Sequence, residues 1–173
     1  MPPGARVIPV TPYDEDGFRI TGNGLAVDGI FDSADSGLFN NGTDVFGFCG
    51  LCGADNPVIM LAAIDGSAFD LNSFEFGTLF IGDVAGEIMS IVGNFSMGGS
   101  ISTTVTADPV WATASLVGFT GLSSVTFEGT TDISDLGLDN ITINASVPVP
   151  APATIALLSL GLICLRFSKR GIV

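Results

Sequence analysis

The sequence predicts an all-β protein, a jelly-roll-like antiparallel β-sandwich, followed by a Pro-rich linker and one short C-terminal apolar (transmembrane) helix. Three observations carry this. The body, residues 18–146, is made of short runs rich in Val, Ile, Thr and Phe that recur about every ten residues, the spacing of strands in a two-sheet sandwich. Between the runs stand GNG, NNGT, ADNP, DGS, MGGS, ADP and GLD, which is turn and loop chemistry. No 12-residue stretch of the body carries a helical apolar stripe.

Taken in order, residues 1–17 read as an acidic lead-in, punctuated by Pro and Gly and ending in YDEDG. They contain no basic cluster, apolar core or small-residue cleavage site of a secretory leader, so export implies a start upstream of Met1, with the N-terminus truncated. Strands follow at Phe18–Ile20, Leu25–Phe31, Val45–Phe48, Val58–Ile64, Phe69–Phe80, Glu87–Phe95, Ile101–Thr106, Val110–Val117, Ser124–Glu128 and Asp139–Ala145. In FDLNSFEFGTLF, Phe69, Leu71 and Ser73 share one face and Phe74 and Phe76 the other; the change of phase predicts a bulge or bend at Asn72–Ser73. In DNITINA, Ile141 and Ile143 share a face, opposite Asn140, Thr142 and Asn144.

The tail, 147–173, has three parts. Residues 147–152 form a linker in which alternating prolines favour an extended polyproline conformation. Residues 153–165 are an apolar helix, and residues 166–170 a basic end containing Arg166, Lys169 and Arg170. The helix alone is short of the roughly 20 residues that cross a hydrocarbon core. It spans only if the linker enters the interface and the basic side chains snorkel. The basic stop predicts a cytoplasmic C-terminus and an outward-facing body.

Charge excludes whole classes of function. All eighteen acidic residues lie at or before Asp139, and residues 1–147 hold only Arg6 and Arg19 against them, a net charge of −16. Such a body repels phosphate backbones, so nucleic acid is not a partner. The chain has no His, which removes the usual general base near neutral pH, every His-dependent triad and the imidazole metal ligand.

The remaining candidates for chemistry are few. Cys49 and Cys52 stand in FCGLCG at C-x-x-C spacing, with Cys164 in the tail as the only other cysteine. The pair reads as a small disulfide-closed loop or unpaired thiols, as a redox pair, or as half of a zinc site, which would need two more ligands. The carboxylates Asp14, Glu15 and Asp16, Asp32 and Asp35, and Asp132, Asp135 and Asp139 could hold a structural Ca²⁺ between loops, or form a solvated acidic surface; none fits an EF-hand loop. No other cofactor is indicated. Trp111, the single tryptophan, follows a turn in ADPVWAT and reads either as an exposed platform touching sugar or as a residue at the core edge. With eighteen carboxylates some pair is inevitable, so a glycosidase cannot be inferred from acids alone.

In the tail, Pro150-Ala151-Pro152, Ala153-Thr154, Leu160-Gly161-Leu162 and the basic end from Arg166 to Arg170 stand in one order. This stretch resembles the PEP-CTERM sorting tail of exported proteins of Gram-negative bacteria, with Ala151 where the family has Glu. The body stretches YDEDGF, the DGS-F-L-S-F pattern at Asp65–Phe74, LSSVTFEG and LDNITI more loosely resemble the sandwich domains that precede such tails. The resemblance implies a non-enzymatic, surface-destined envelope or matrix protein. It implies processing by an exosortase, passage through the inner membrane with a transient anchor there, and an association with exopolysaccharide. The alternative is a carbohydrate-binding module with Ca-stabilised loops, in which polysaccharide is the ligand.

Overall fold

A computed structural model describes residues 7–9, 12–22, 27–31, 42–49, 58–79, 86–130 and 135–144. They contain twelve strands and no helix: β1 Val7–Pro9, β2 Tyr13–Glu15, β3 Phe18–Gly22, β4 Val27–Phe31, β5 Val45–Cys49, β6 Val58–Ala63, β7 Leu71–Thr78, β8 Glu87–Phe95, β9 Ser100–Ala107, β10 Ala112–Ser115, β11 Leu122–Gly129 and β12 Asp135–Ile143. The linker, the apolar helix and the basic end of the tail lie outside the described residues, as do Asp32, Asp35, Cys52 and Asp132.

The strands form two six-stranded sheets, ordered β1-β4-β5-β12-β7-β10 and β2-β3-β6-β11-β8-β9, and every pairing is antiparallel. From β5 onward, the four strands β5-β12-β7-β10 face the four strands β6-β11-β8-β9. That is the double Greek key of a jelly roll.

One apolar core joins the sheets, because alternate side chains of each strand point inward. Leu71, Phe74, Phe76, Leu136 and Leu138 come from the first sheet, and Ile59, Leu61, Met89, Ile91, Val125 and Phe127 from the second. Phe74 meets Phe127 across the gap edge-on at 5.2 Å between ring centres, a geometry aromatic pairs prefer.

The bend expected at Asn72–Ser73 is present, with a different consequence. Thr142 and Ile143 of β12 oppose Ser73 and Leu71, so Asn72 is an extra residue on β7; one step earlier, Asp139 and Thr142 oppose Glu75 and Ser73, leaving an extra residue on β12. Each bulge shifts the side-chain phase of its strand. Leu71, Phe74 and Phe76 therefore all reach the core, although simple alternation puts them on opposite faces. On β12 the buried positions move from Leu136 and Leu138 to the partly buried Ile141 and Ile143, which share a face as expected.

The stretch read as a lead-in supplies a strand to each sheet. β1 pairs with β4, and β2 forms a hairpin with β3. Three-residue strands leave no visible period; what locates the hairpin is Asp16-Gly17, both at positive φ (48° and 84°), the type I′ turn that matches strand twist.

Candidate functional site: an acidic cleft at the parted edge of the sandwich

Where β2 and β3 of one sheet part from β4, β5 and β12 of the other, a cleft of about 510 Å³ opens between them. Its apolar floor consists of Ile20, Ile30, Phe46, Leu138 and Ile141. Tyr13 bridges from β2 toward Phe46, with ring centres 6.3 Å apart and the planes tilted by 43°. A smaller hollow of about 120 Å³, lined by Phe18, Leu61 and Ile143, shares Tyr13, Ile20 and Ile141 with it.

The rim is acidic. Glu15 and Asp16 come from β2 and its turn, Asp44 from the residue before β5, and Asp139 from the bulge of β12, with Asn140 beside it. No basic side chain lines the cleft among the described residues; Arg19 is held by Asp14 through two 2.7 Å contacts on the exposed side of the β2–β3 hairpin. The carboxylates already work as acceptors of hydroxyl hydrogens. The Tyr13 hydroxyl donates to Glu15 at 3.0 Å, and the Thr43 hydroxyl donates to Asp139. Asn140 sits at φ 46°, a conformation Asn tolerates, fixed by its backbone N–H donating to Asp139 and its amide donating to Glu75.

Burial, and then the hydrogen bond to Glu15, push the Tyr13 phenol above its ordinary pKa, so it stays neutral through the physiological range. Arg19 holds the Asp14 carboxyl below the usual range, and the side-chain and backbone bonds from Ser67 do the same for Asp65.

Trp111 lies elsewhere, on the outward face of the first sheet. Gly77 and Gly137, paired across β7 and β12, form its seat: a methyl on Gly137 would stand 2.6 Å from the indole Cη2, and one on Gly77 2.8 Å from Nε1. The pair belongs to a glycine row, Gly29–Gly47–Gly137–Gly77, running across four adjacent strands. Phe31 and Leu79 press on Gly47 in the same row. Trp111 is half-buried, and its Nε1 is buried without an acceptor among the described residues. The indole thus rests one side on the sheet, closer to the core-edge reading than to a free platform.

Of the Asp132, Asp135 and Asp139 group the structure describes the last two, and they lie in different surroundings. Asp135 is buried, and its N–H donates to the buried Glu87 carboxylate at 3.0 Å, away from Asp139 at the cleft. Among the described residues no group of three Asp, Glu or Cys could hold a metal ion. Cys49 ends β5, aligned with Val27 and Asp135; its pairing with Cys52 falls outside the described residues. Also outside them are Pro150, Ala151, Pro152, Ala153, Thr154, Arg166, Lys169 and Arg170. Among the described residues no helix is long and apolar enough to cross a membrane.

Tyr13, Glu15 and Asp16 lie in YDEDGF and Asp139 and Asn140 in LDNITI, stretches the sequence singles out, but Asp44 was not singled out, and only the strand order brings these residues to one cleft.

Comparison with known proteins gives distant structural likenesses. A variant of a family 29 carbohydrate-binding module complexed with cellulohexaose aligns at a TM-score of 0.49 and 11% identity, covering 80% of this chain and 88% of that one. A family 61 module in complex with β-1,4-galactotriose aligns at 0.44 and 11%, covering 74% and 88%. The enzymatically active domain of a bacteriophage CBA120 tailspike protein aligns at 0.46 and 12%, covering 74% of this chain and 19% of that one. These likenesses assign nothing to the chain, and the fold rests on the strand order itself. No curated protein matches the sequence. One segment does match a family: residues 148–170 fit the PEP-CTERM protein-sorting motif, so the chain ends in the sorting signal that its prolines, apolar run and basic stop resemble.

Proposed function

We propose that the protein is an exported, non-enzymatic component of the cell envelope or extracellular matrix of a Gram-negative bacterium. An exosortase sorts it through residues 148–170 after transient anchoring in the inner membrane. The observation that carries this is the sorting motif. The tail is a substrate feature and performs no chemistry: Pro150 to Thr154 present the processing step, the apolar run holds the chain in the bilayer, and Arg166, Lys169 and Arg170 stop it at the cytoplasmic face. The test is a precursor tagged at both ends, expressed with and without an exosortase. The C-terminal tag is lost only with the enzyme. A chain that stays full length in that host leaves a plain membrane anchor and sinks the sorting role.

A second reading, a carbohydrate-binding module, is favoured by the open cleft. Its floor combines aromatic and aliphatic surface with convergent oxygen acceptors, the composition of a small-molecule site, and its volume lies in the usual range of about 300–1,000 Å³. A glycan array probed with and without Ca²⁺ tests it: saturable binding to a defined glycan supports the module. Loss of binding in Trp111→Ala places the sugar on the outward face, and loss on removing Ca²⁺ supports ion-stabilised loops. No binding to any glycan overturns it.

A further inference from the structure

Three large apolar side chains are almost wholly in water among the described residues: Met97 (97% exposed), Val117 (89%) and Val110 (81%). Two of them share one end of the sandwich. Met97 caps the β8–β9 hairpin, whose turn closes on itself as Phe95 N–H donates to the Gly99 carbonyl and Gly98 N–H to the Phe95 carbonyl, both at 3.0 Å. Val117 stands in the loop from β10 to β11, next to Gly118, where an added Cβ would lie 3.1 Å from Ile101 of β9. Neither tip carries a charge: residues 95–101 read FSMGGSI and residues 116–124 read LVGFTGLSS, in a body of net charge −16. A single exposed apolar residue is ordinary, but turns favour polar residues, and two apolar apices on neighbouring loops call for an apolar surface outside the fold.

The place where the chain leaves the sandwich identifies that surface. β12 runs to the same end, where Asn144 and Asp70 bond reciprocally: Asn144 N–H donates to the Asp70 carbonyl at 2.9 Å, and Asp70 N–H to Asn144 Oδ1 at 2.8 Å. The Asp70 carboxylate accepts from Gly121 N–H at 2.8 Å, and the Gly121 carbonyl accepts from Ser96 N–H at 3.1 Å. Hydrogen bonds thus join the exit to the foot of both tips. Beyond Asn144, residues 145–152 precede the apolar run. Even fully extended, that stretch reaches no further than about 30 Å. With the tail in a bilayer, this end of the sandwich stays within that distance of the lipid, and contact on so short a tether is intramolecular, so weak anchors suffice. Val110 is at the other end, roughly 30 Å away along the nine residues of β8. We infer, on the basis of that anchored tail, that the corner formed by Met97 and Val117 docks on the lipid surface holding the tail, with both side chains in its interfacial layer. Arg19, the basic residue of the described body, is in the β2–β3 hairpin, so the contact is apolar and not a basic patch on anionic lipid.

The native methionines report the docking. The full chain is reconstituted in phosphatidylcholine vesicles, and flotation after an alkaline wash verifies that the tail is inserted. Dilute chloramine-T then oxidises methionine to its sulfoxide, and peptide masses give the rates at Met97 and at Met60, which is 41% exposed in the middle of β6. Each rate is divided by that of the urea-unfolded chain. Exposure in the free sandwich puts Met97 ahead of Met60. Docking is expected to reverse the order, with Met97 at least about threefold slower than Met60, since oxidation follows access to water. Val117→Asn removes one of the two anchors and is expected to speed Met97 at least about threefold, whereas Val110→Asn, at the far end, changes it less than about 1.5-fold. Both substituted positions are exposed, and thermal midpoints verify that each variant is folded.

Met97 that stays faster than Met60 in chains that float overturns the docking while the anchored tail stands. Chains that do not float overturn the anchored tail and the docking with it. Protection that fades as the lipid-to-protein ratio rises comes from a second copy of the chain and overturns the lipid assignment. Protection that survives Val117→Asn, or that falls equally in Val110→Asn, overturns the corner.

Discussion

At the scale of single residues, the seat of Trp111 on Gly77 and Gly137 is a tight constraint. A Cβ on Gly137 would come within 2.6 Å of the indole, nearer than carbon atoms approach, and the sheet backbone beneath cannot yield. Gly137→Ala must therefore displace the ring. Overpacking of this kind costs about 1–3 kcal/mol. Because the chain has one tryptophan, its emission reports the displacement directly. A red-shifted spectrum and a lower denaturant midpoint are expected together, and an unchanged spectrum would show that the indole does not rest on Gly137. Tyr13 gives a second prediction, in pH. Its folded pKa lies above the unfolded value of about 10, so its contribution to stability is fully present below pH 10 and is lost as pH rises through the folded value. The midpoint should fall more steeply above pH 10 in the parent chain than in Tyr13→Phe. Parallel curves would mean that the phenol is as accessible in the folded chain as in the unfolded one. Neither role was legible from sequence. A lone Trp after a turn and a lone Tyr in an acidic stretch become informative only when the opposing strand is known.

At the scale of elements, the long strands were legible because burial imposes a period of two on eight or nine residues, as in β8, where Glu87, Met89, Ile91 and Gly93 alternate inward. Glu87–Phe95 was read with its observed ends. β1 and β2 were not legible, since three residues cannot display a period, and β2 reads simply as acidic. Their partners define them: Tyr13, Asp14 and Glu15 align with Ile20, Arg19 and Phe18 across the Asp16-Gly17 turn. That turn is where the wall of the cleft is most easily weakened. Gly17 has φ 84° with open space around it, so a substitution suffers from backbone conformation alone. Gly17→Ala should cost about 1–2 kcal/mol, and Gly17→Asn less, because Asn visits positive φ more readily. The order of the two thermal midpoints checks this, and the reverse order would show that the hairpin turns differently. By contrast, Asp14 and Arg19 are exposed, so their ion pair adds little and fades in salt. What it does add is present above the ordinary Asp value and is lost as pH falls through the lowered one.

At the scale of the whole molecule, the sandwich was legible from strand count and spacing, but the site was not, because it is a product of topology. The jelly-roll order brings β12 beside β5 and puts the β2–β3 hairpin at the far edge of the opposite sheet, so Tyr13, Asp44 and Asp139 meet only after the chain has closed twice on itself. Residues 1–147 carry sixteen net negative charges. Self-repulsion of that size opposes the compact state, and its range is set by the Debye length, about 30 Å at 0.01 M salt and about 8 Å at 0.15 M. Raising sodium chloride from about 0.01 M to about 0.15 M should therefore raise the thermal midpoint by a few degrees, and choline chloride at equal ionic strength should do the same. Screening depends on ionic strength and not on the identity of the cation. A bound metal behaves differently, stabilising by mass action in proportion to its own occupancy. Calcium compared with choline at matched ionic strength separates the two. Coincident midpoints identify screening as the whole effect, and an added rise with calcium alone would identify an ion held by the loops.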